Sequence, residues 1–410
     1  MEQALKPNRR QIRLLVRMCT LVYFTSYVTR LGILTTISEV IASGMASAEV
    51  ASLAETLNLI CYGGGQIVSG LLGDKIKPQK LIFFGLLVTF GVNLAVGVGV
   101  SGVALAILWP LNGFAQAFMW PPMVAILAHC MNAETYNKSV VTISFGSSSA
   151  TVFMYLICPL IIRTIGLKYV FLMAAGTGIV VAVAWNVVFA RNFTYTPVVA
   201  SKDDLQRPEK KPFGENVIIL LAVLIFTIAL QGTLRDGVQT WTPSLLIGLH
   251  GLDTSSAILS SVVLPVFGFL SISFASFIQR QWIHNESLAS ALFFGAAALA
   301  GGILVLFKET SPILCVIMIA VIIGSAHAIN ILLVSIVPRS FVKTGRVGFI
   351  SGLLNCGTYI GSSLAVYIFG TLGNGGNWTA VVLLWTLFAA AGTAFCILFA
   401  RPWDKYKRIR

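Results

Sequence analysis

Stretches of about 20 mostly apolar residues, long enough to cross ~30 Å of hydrocarbon as a helix, recur throughout this chain. A water-soluble fold cannot bury so many apolar segments, and only 10% of the residues are charged, against about 25% in soluble proteins. We therefore predict an all-α membrane protein with twelve transmembrane helices. The predicted spans are 14–36, 50–72, 81–100, 103–127, 139–162, 168–190, 216–247, 255–278, 287–307, 311–334, 346–370 and 377–400.

The sequence repeats itself in two halves. Arg30 and Arg235 occupy the first span of each half, and VVTIS at 140–144 resembles VGFIS at 347–351 at nearly the same offset. Such duplication is typical of secondary transporters that bind their substrate between two bundles. We predict two pseudo-symmetric six-helix bundles, at 1–190 and 216–410, joined by a polar cytoplasmic linker at 191–215.

The net charge of +13 has a topological explanation. Most of the 28 Lys and Arg fall in both terminal segments and in one alternating set of loops, and cytoplasmic loops collect such bases. We therefore place both termini in the cytoplasm, with the chain crossing a plasma (inner) membrane as a monomer. The charge does not indicate nucleic-acid binding. The basic N-terminus followed by a full span predicts a signal anchor that is not cleaved.

Two arginines, Arg30 and Arg235, fall inside predicted spans, where each costs about 2.5–3.5 kcal/mol on insertion scales. By position, only Asp236 and Glu55 are candidate counter-charges. Adjacent side chains point about 100° apart on a helix, so we expect at least one guanidinium to lack a permanent protein partner. The arginines are then either structural or, as we favour, ligands for an anionic substrate, because a guanidinium donates paired hydrogen bonds to phosphate or carboxylate.

Several polar side chains in the spans are further candidates. Tyr23 and Tyr27 lie on the same helical face as Arg30, and their hydroxyls can donate to an oxyanion; ordinary packing is the alternative. His327 could bind substrate, relay protons or hydrogen-bond a neighbouring helix. Asp236 could balance Arg235, contact a substrate amino group or stabilise a broken helix. Small-residue runs indicate close helix packing, and two of their polar members, Ser147 and Asn355, could also line a cavity.

The loop after the second span reads GLLGDKIKPQK over 70–80. Its Gly70, Asp74 and Lys75 resemble the signature loop of the major facilitator superfamily, in which the Asp helps to latch the two halves on the cytoplasmic side. An ordinary charged turn is the alternative interpretation.

Four segments extend this resemblance to one family. YFTSYVTR at 23–30, CYGGGQ at 61–66, MWPP at 119–122 and LRDGVQTWTP at 234–243 resemble the organophosphate:phosphate antiporters, which include glycerol-3-phosphate and hexose-6-phosphate transporters. The resemblance implies exchange of an organic phosphate for inorganic phosphate. It also implies site residues: Arg30 and Arg235 as a phosphate clamp, with Tyr23, Tyr27, Tyr62 and Trp120 beside it.

The chain also departs from the glycerol-phosphate branch of that family. Gln66 stands where the branch has Lys, and Ser147 where it has His, so two cationic contacts are lost. A less charged anion, such as a carboxylate or sulfonate, is therefore an alternative substrate, with proton coupling as an alternative mechanism. A sensor of sugar phosphates that does not transport is a further alternative. The sequence predicts no enzyme: no catalytic residues, no metal site and no cofactor.

We expect alternating access, in which an anion that bridges Arg30 and Arg235 draws the two halves together. Without the anion, two mutually repelling cations make closure costly. The sequence therefore favours obligate exchange over net leak.

Overall fold

A computed structural model of the 410-residue chain describes residues 8–73, 76–193, 215–252, 260, 263–374 and 376–409. All regular secondary structure in these ranges is helical. The first half contains α1 (Arg9–Arg30), α2 (Gly32–Ala42), α3 (Ala48–Gly73), α4 (Pro78–Val98), α5 (Gly102–Gln116), α6 (Trp120–Cys130), α7 (Ala133–Thr164) and α8 (Lys168–Asn192). The second half contains α9 (Glu215–Gly232), α10 (Val238–His250), α11 (Val263–Gln281), α12 (Glu286–Phe307), α13 (Pro312–Asn330), α14 (Val347–Asn374) and α15 (Trp378–Ile409).

Each of the twelve predicted spans contains helix, which confirms the all-α fold class. Among the described residues, nine helical segments are long and apolar enough to cross a membrane by length and composition. The first, second and eighth predicted spans are outside this set. For the first span the reason is visible in the sequence, because α1 begins with Arg9, Arg10, Arg13 and Arg17.

Helix ends follow local sequence signals. Asn8 accepts a hydrogen bond from the Gln11 backbone while the Gln11 side chain accepts one from the Asn8 backbone, which forms a capping box at the start of α1. Asn132 and Asn285 also cap helices, α7 and α12, and the side chain of each accepts a backbone N–H three residues on. Proline stands in the first turn of α4, α6 and α13, where its missing N–H costs nothing.

The chain divides into two compact units. One contains Met1–Lys211 together with Phe341–Leu353, and the other contains Pro212–Ser340 together with Leu354–Arg410. The first unit therefore includes the start of α14. The domain boundaries derived from the sequence stay a prediction, and most of the predicted linker lies outside the described residues. The predicted cytoplasmic location of both termini likewise stays a prediction.

Close helix packing at glycines is a feature of both units. In the first unit, a Cβ on Gly146 of α7 would lie 2.7 Å from the Thr20 carbonyl oxygen of α1. In the second unit, a Cβ on Gly361 of α14 would overlap the Ala229 carbonyl of α9, and one on Gly232 would overlap the Thr358 carbonyl. The glycines thus allow backbone contact, as small-residue runs in membrane helices do.

Both arginines of the predicted spans lie where a helix is interrupted. Arg30 is the last residue of α1, and Leu31 separates α1 from α2, which begins at Gly32. Arg235 lies in a π-helical turn, Thr233–Gly237, between α9 and α10. A second π-helical turn, Ile331–Ile336, follows α13 and leads into a 3₁₀ segment, Val337–Thr344. Such turns inside α-helices often mark functional positions.

Candidate functional site

Two tyrosine rings lie against the buried Arg30. Its guanidinium carbon lies 4.3 Å from the centre of the Tyr27 ring and 4.7 Å from the centre of the Tyr62 ring. Stacking of a cation on an aromatic face stabilises it, by about 2 kcal/mol where water is excluded. Ring stacking uses the faces of the guanidinium, whereas its N–H groups point outward in its plane, the direction from which an oxyanion is bound.

The aromatic group continues from α1 to α6. The Tyr23 ring contacts that of Tyr27 edge-on at 5.4 Å between centres, and it packs at 4.7 Å against Trp120, the first residue of α6. We call Arg30, Tyr23, Tyr27, Tyr62 and Trp120 the Arg30 cluster. The sequence predicted these five as site residues, and the structure brings them together.

Three amide side chains that were not predicted from the sequence stabilise the backbone beside Arg30. The Thr29 carbonyl accepts hydrogen bonds from Asn93 of α4 at 3.1 Å and from Asn112 of α5 at 3.0 Å. Gln116, with its amide in the orientation that satisfies both ends, accepts from the Arg30 backbone N–H at 3.2 Å and donates to the Ser26 carbonyl at 3.1 Å. The available signal was the presence of polar amides inside apolar spans.

The other predicted residues of the first unit lie differently. Gln66 is fully buried, and neither its amide nitrogen nor its amide oxygen has a hydrogen-bond partner among the described residues. The Ser147 hydroxyl donates to the Ser144 carbonyl of its own helix at 2.7 Å. Gly70 packs against the backbone of Gly348, where an added Cβ would be 2.5 Å from the carbonyl oxygen. Asp74 and Lys75 lie outside the described residues.

In the second unit, Arg235 is paired with its neighbour Asp236. Its Nε and Nη2 donate to the two carboxylate oxygens of Asp236 at 2.6 and 2.7 Å. The expectation that adjacent side chains would diverge is therefore wrong here. The reasons are the long, flexible Arg side chain and the π-helical turn, which departs from the α-helical spacing on which that expectation rested.

Two residues of α14 support this ion pair. The Ser362 hydroxyl lies 2.6 Å from Asp236 Oδ2, and the Tyr359 ring centre lies 5.7 Å from the Arg235 guanidinium carbon. The Arg235 side chain is 13% exposed and that of Asp236 is 32% exposed. The ion pair is thus held in place but remains accessible.

His327 of α13 interacts electrostatically with both Arg235 and Asp236. Its imidazole packs so closely on α11 that a Cβ on Gly268 would lie 2.6 Å from His327 Cδ2. The predicted His327 is therefore close to the ion pair of Arg235 and Asp236. The remaining predicted residue, Asn355, is buried on α14 one helical turn before Tyr359.

Gln231 is a residue of the second unit that the sequence analysis missed. It is fully buried on α9 and donates to the Ala326 carbonyl of α13 at 3.0 Å. Its side-chain oxygen is within 3.5 Å of Asn330 Nδ2 and 3.4 Å of the Thr358 hydroxyl of α14. It therefore ties together three helices immediately before the π-helical turn that carries Arg235.

Comparison with known proteins gives a family and a fold. The family model described as Major Facilitator Superfamily matches residues 19–366, most of the chain. Over 87 residues the chain is 32% identical to the membrane sensor protein UhpC of Escherichia coli strain K12. This alignment covers 21% of this chain and 20% of that relative. UhpC of Salmonella typhimurium strain LT2 is 33% identical over 87 residues, again 20% of its length. The chain thus aligns with about a fifth of these relatives.

Three solved structures share the fold over almost the whole chain. The proton:xylose symporter XylE with 6-bromo-6-deoxy-D-glucose has a TM-score of 0.77 at 11% identity and covers 96% of both chains. An outward-facing bacterial homologue of the iron transporter ferroportin has a TM-score of 0.75 at 14% identity, covering 95% of this chain and 99% of its own. The human organic anion transporter MFSD10 has a TM-score of 0.74 at 11% identity, covering 95% and 100%. At these identities the likeness shows the fold alone.

Proposed function

This chain belongs to the Major Facilitator Superfamily, and on that premise we propose that it transports a small organic anion by alternating access. We propose further that the anion is an organic phosphate exchanged for inorganic phosphate. Both the family and the fold indicate a multi-pass membrane transporter rather than an enzyme.

The observation that carries the proposal is the surroundings of Arg30. A permanent cation inside a membrane span is costly. Here the Tyr27 and Tyr62 rings lie against the guanidinium, and Tyr23 and Trp120 extend this aromatic group. Buried amide side chains hydrogen-bond the backbone where α1 ends. A purely structural arginine needs only a counter-charge, whereas an arginine that binds phosphate needs a fixed orientation of its guanidinium.

Arg235 is the second half of the proposed clamp. It too lies at a helix interruption in the first span of its half, and it stays partly exposed although Asp236 pairs with it. We propose that a phosphoryl group binds Arg30 and Arg235 during transport, with Tyr23, Tyr27 and Tyr62 beside it. Gln66, Ser147, Asn355 and His327 are proposed as further contacts, and the Gly70–Lys75 loop as a gating element.

The test is counterflow in proteoliposomes preloaded with phosphate, screened against organic phosphates, carboxylates and sulfonates. We expect phosphate esters to exchange, and Arg30→Gln to reduce exchange by at least about tenfold, because charge-assisted hydrogen bonds contribute about 1.5–3 kcal/mol each. Arg30→Lys keeps the charge but loses the paired geometry, so it should recover only part of the activity. Arg163→Gln, at an exposed arginine near the end of α7, is the control that should transport normally. Exchange that persists in Arg30→Gln would refute the role of Arg30.

The similarity to UhpC supports a second candidate function, a membrane sensor. A sensor binds its ligand without carrying it. Thermal stabilisation of the purified protein by a phosphate ester, together with no counterflow of that ester, would favour the sensor over the transporter.

A further inference from the structure

The Arg235–Asp236 contact has the geometry by which an arginine binds a ligand anion. Two nearly parallel N–H groups, from Nε and Nη2, meet the two carboxylate oxygens at 2.6 and 2.7 Å. A phosphate or carboxylate that used this edge of Arg235 would have to replace Asp236. Asp236 therefore stands in the position of a substrate anion.

The surroundings of Asp236 make this contact stable and also exchangeable. Ser362 donates to its Oδ2, so the carboxylate keeps a hydrogen bond when it leaves the guanidinium. The 32% exposure of the Asp236 side chain gives an incoming anion access to the ion pair. A carboxylate that served only to neutralise Arg235 in the bilayer would be expected to be sealed from solvent with it.

We propose that Asp236 is an internal counter-anion, which neutralises Arg235 in the empty protein and gives up the Nε–Nη2 edge when a substrate anion binds. The proposal rests on the proposed anion transport and adds a regulatory role for one residue of the site. The sequence favours obligate exchange because two unshielded arginines would oppose closure without substrate. With Asp236 on Arg235, the two arginines and this carboxylate together carry one net positive charge in place of two. It can then return without cargo, and net transport accompanies exchange.

The experiment measures net transport and exchange separately. Proteoliposomes loaded with [³²P]phosphate are diluted into buffer with or without phosphate, and the ratio of the two efflux rates is determined. We expect wild type to show clear net efflux and Asp236→Asn to lower the ratio of net efflux to exchange by about tenfold. In detergent, phosphate should stabilise Asp236→Asn against heat at about tenfold lower concentration, because the internal competitor is gone.

Two further variants make the result specific. Ser362→Ala removes the hydroxyl that donates to the Asp236 carboxylate. It should lower the ratio of net efflux to exchange, and the phosphate concentration needed for stabilisation, by about threefold each. This variant replaces Asp236→Asn as the test if Asp236→Asn fails to fold. Glu309→Gln breaks another ion pair between adjacent residues, Lys308 Nζ to Glu309 Oε1 at 3.2 Å, with Glu309 71% exposed. It is the matched control and should resemble wild type in both readouts.

Failure of this inference is distinct from failure of the proposed function. If phosphate exchanges in wild type but both readouts are the same in Asp236→Asn, the internal counter-anion is refuted and phosphate transport stands. If phosphate has no effect while sulfate or a carboxylate stabilises the protein, the organophosphate assignment is wrong, and the same comparison is made with that anion. If no anion stabilises wild type or Asp236→Asn, the counter-anion inference is also overturned.

Discussion

The helix break beside Arg30 can be tested through the two asparagines that support it. Asn93 and Asn112 donate to one acceptor, the Thr29 carbonyl, from two different helices. We predict that Asn93→Ala and Asn112→Ala are each mildly destabilising, and that the double variant loses more stability than the two single losses added together.

The magnitude follows from counting hydrogen bonds. Either single substitution leaves the Thr29 carbonyl with the other asparagine. Asn112→Ala loses one hydrogen bond, about 1 kcal/mol. Asn93→Ala loses a second one as well, because Asn93 also donates to the Thr89 carbonyl of its own helix at 2.9 Å. Each asparagine also has a buried amide oxygen with no partner among the described residues, and its removal offsets part of that loss. The double variant leaves the buried carbonyl without either donor, which adds about 1–3 kcal/mol. We therefore expect about 1 kcal/mol or less for Asn112→Ala, about 1–2 kcal/mol for Asn93→Ala and about 4 kcal/mol for both.

Thermal unfolding in detergent and phosphate counterflow measure the two consequences. The double variant should unfold at a clearly lower temperature, and its transport should fall because Arg30 is no longer held at the break. Asn58→Ala is the matched control, since Asn58 is also buried and donates to a backbone carbonyl, that of Trp109, at 2.7 Å. It should lose stability like a single variant and keep transport. Strictly additive losses would refute the shared-acceptor argument.

Two further predictions concern the second unit. The buried Glu286 carboxylate accepts hydrogen bonds from Trp403 Nε1 at 2.7 Å and Lys407 Nζ at 2.9 Å. Glu286→Gln should therefore lower the free energy of unfolding by about 2–3 kcal/mol, measured by thermal unfolding. Normal stability of this variant would show that Glu286 does not anchor the end of α15. Gly361→Ala places a methyl group on the Ala229 carbonyl and should lower both stability and expression, whereas Gly302→Ala, with open space around it, should be neutral or stabilising in the same assays.

The sequence predicted the fold well because its strongest signal is one of length and hydrophobicity. Twelve apolar segments in two sets of six, with matching arginines, leave few alternatives to the superfamily fold. Interruptions within the helices could not be predicted from length and hydrophobicity. An interruption such as the π-helical turn at Thr233–Gly237 leaves the hydrophobic pattern of a span unchanged, so the pattern shows one helix where the structure has three segments.

Some residues of the candidate site could be predicted from the sequence and others could not. Residues close to Arg30 in sequence, such as Tyr23 and Tyr27, were predictable because helical spacing places them on one face. Asn93, Asn112 and Gln231 were not, because their roles depend on which carbonyls of other helices they meet, and single-sequence spacing contains no information on that. The pairing of Arg235 with Asp236 was mispredicted because regular α-helical geometry was assumed at a position where the helix is irregular.

The structure also shows that the duplicated arginines are no longer equivalent. Arg30 is held by aromatic faces and by a backbone network, while the charge of Glu55, whose carboxylate accepts from Trp109 at 2.8 Å, acts on it through space. Arg235 shares its hydrogen-bonding edge with the adjacent Asp236. Loss of Arg235 alone therefore leaves a carboxylate that repels an anion, so its effect on transport combines a lost contact with a new repulsion. Arg30 has no carboxylate next to it in the sequence, so the two substitutions measure different quantities although the sequence repeat makes them look alike.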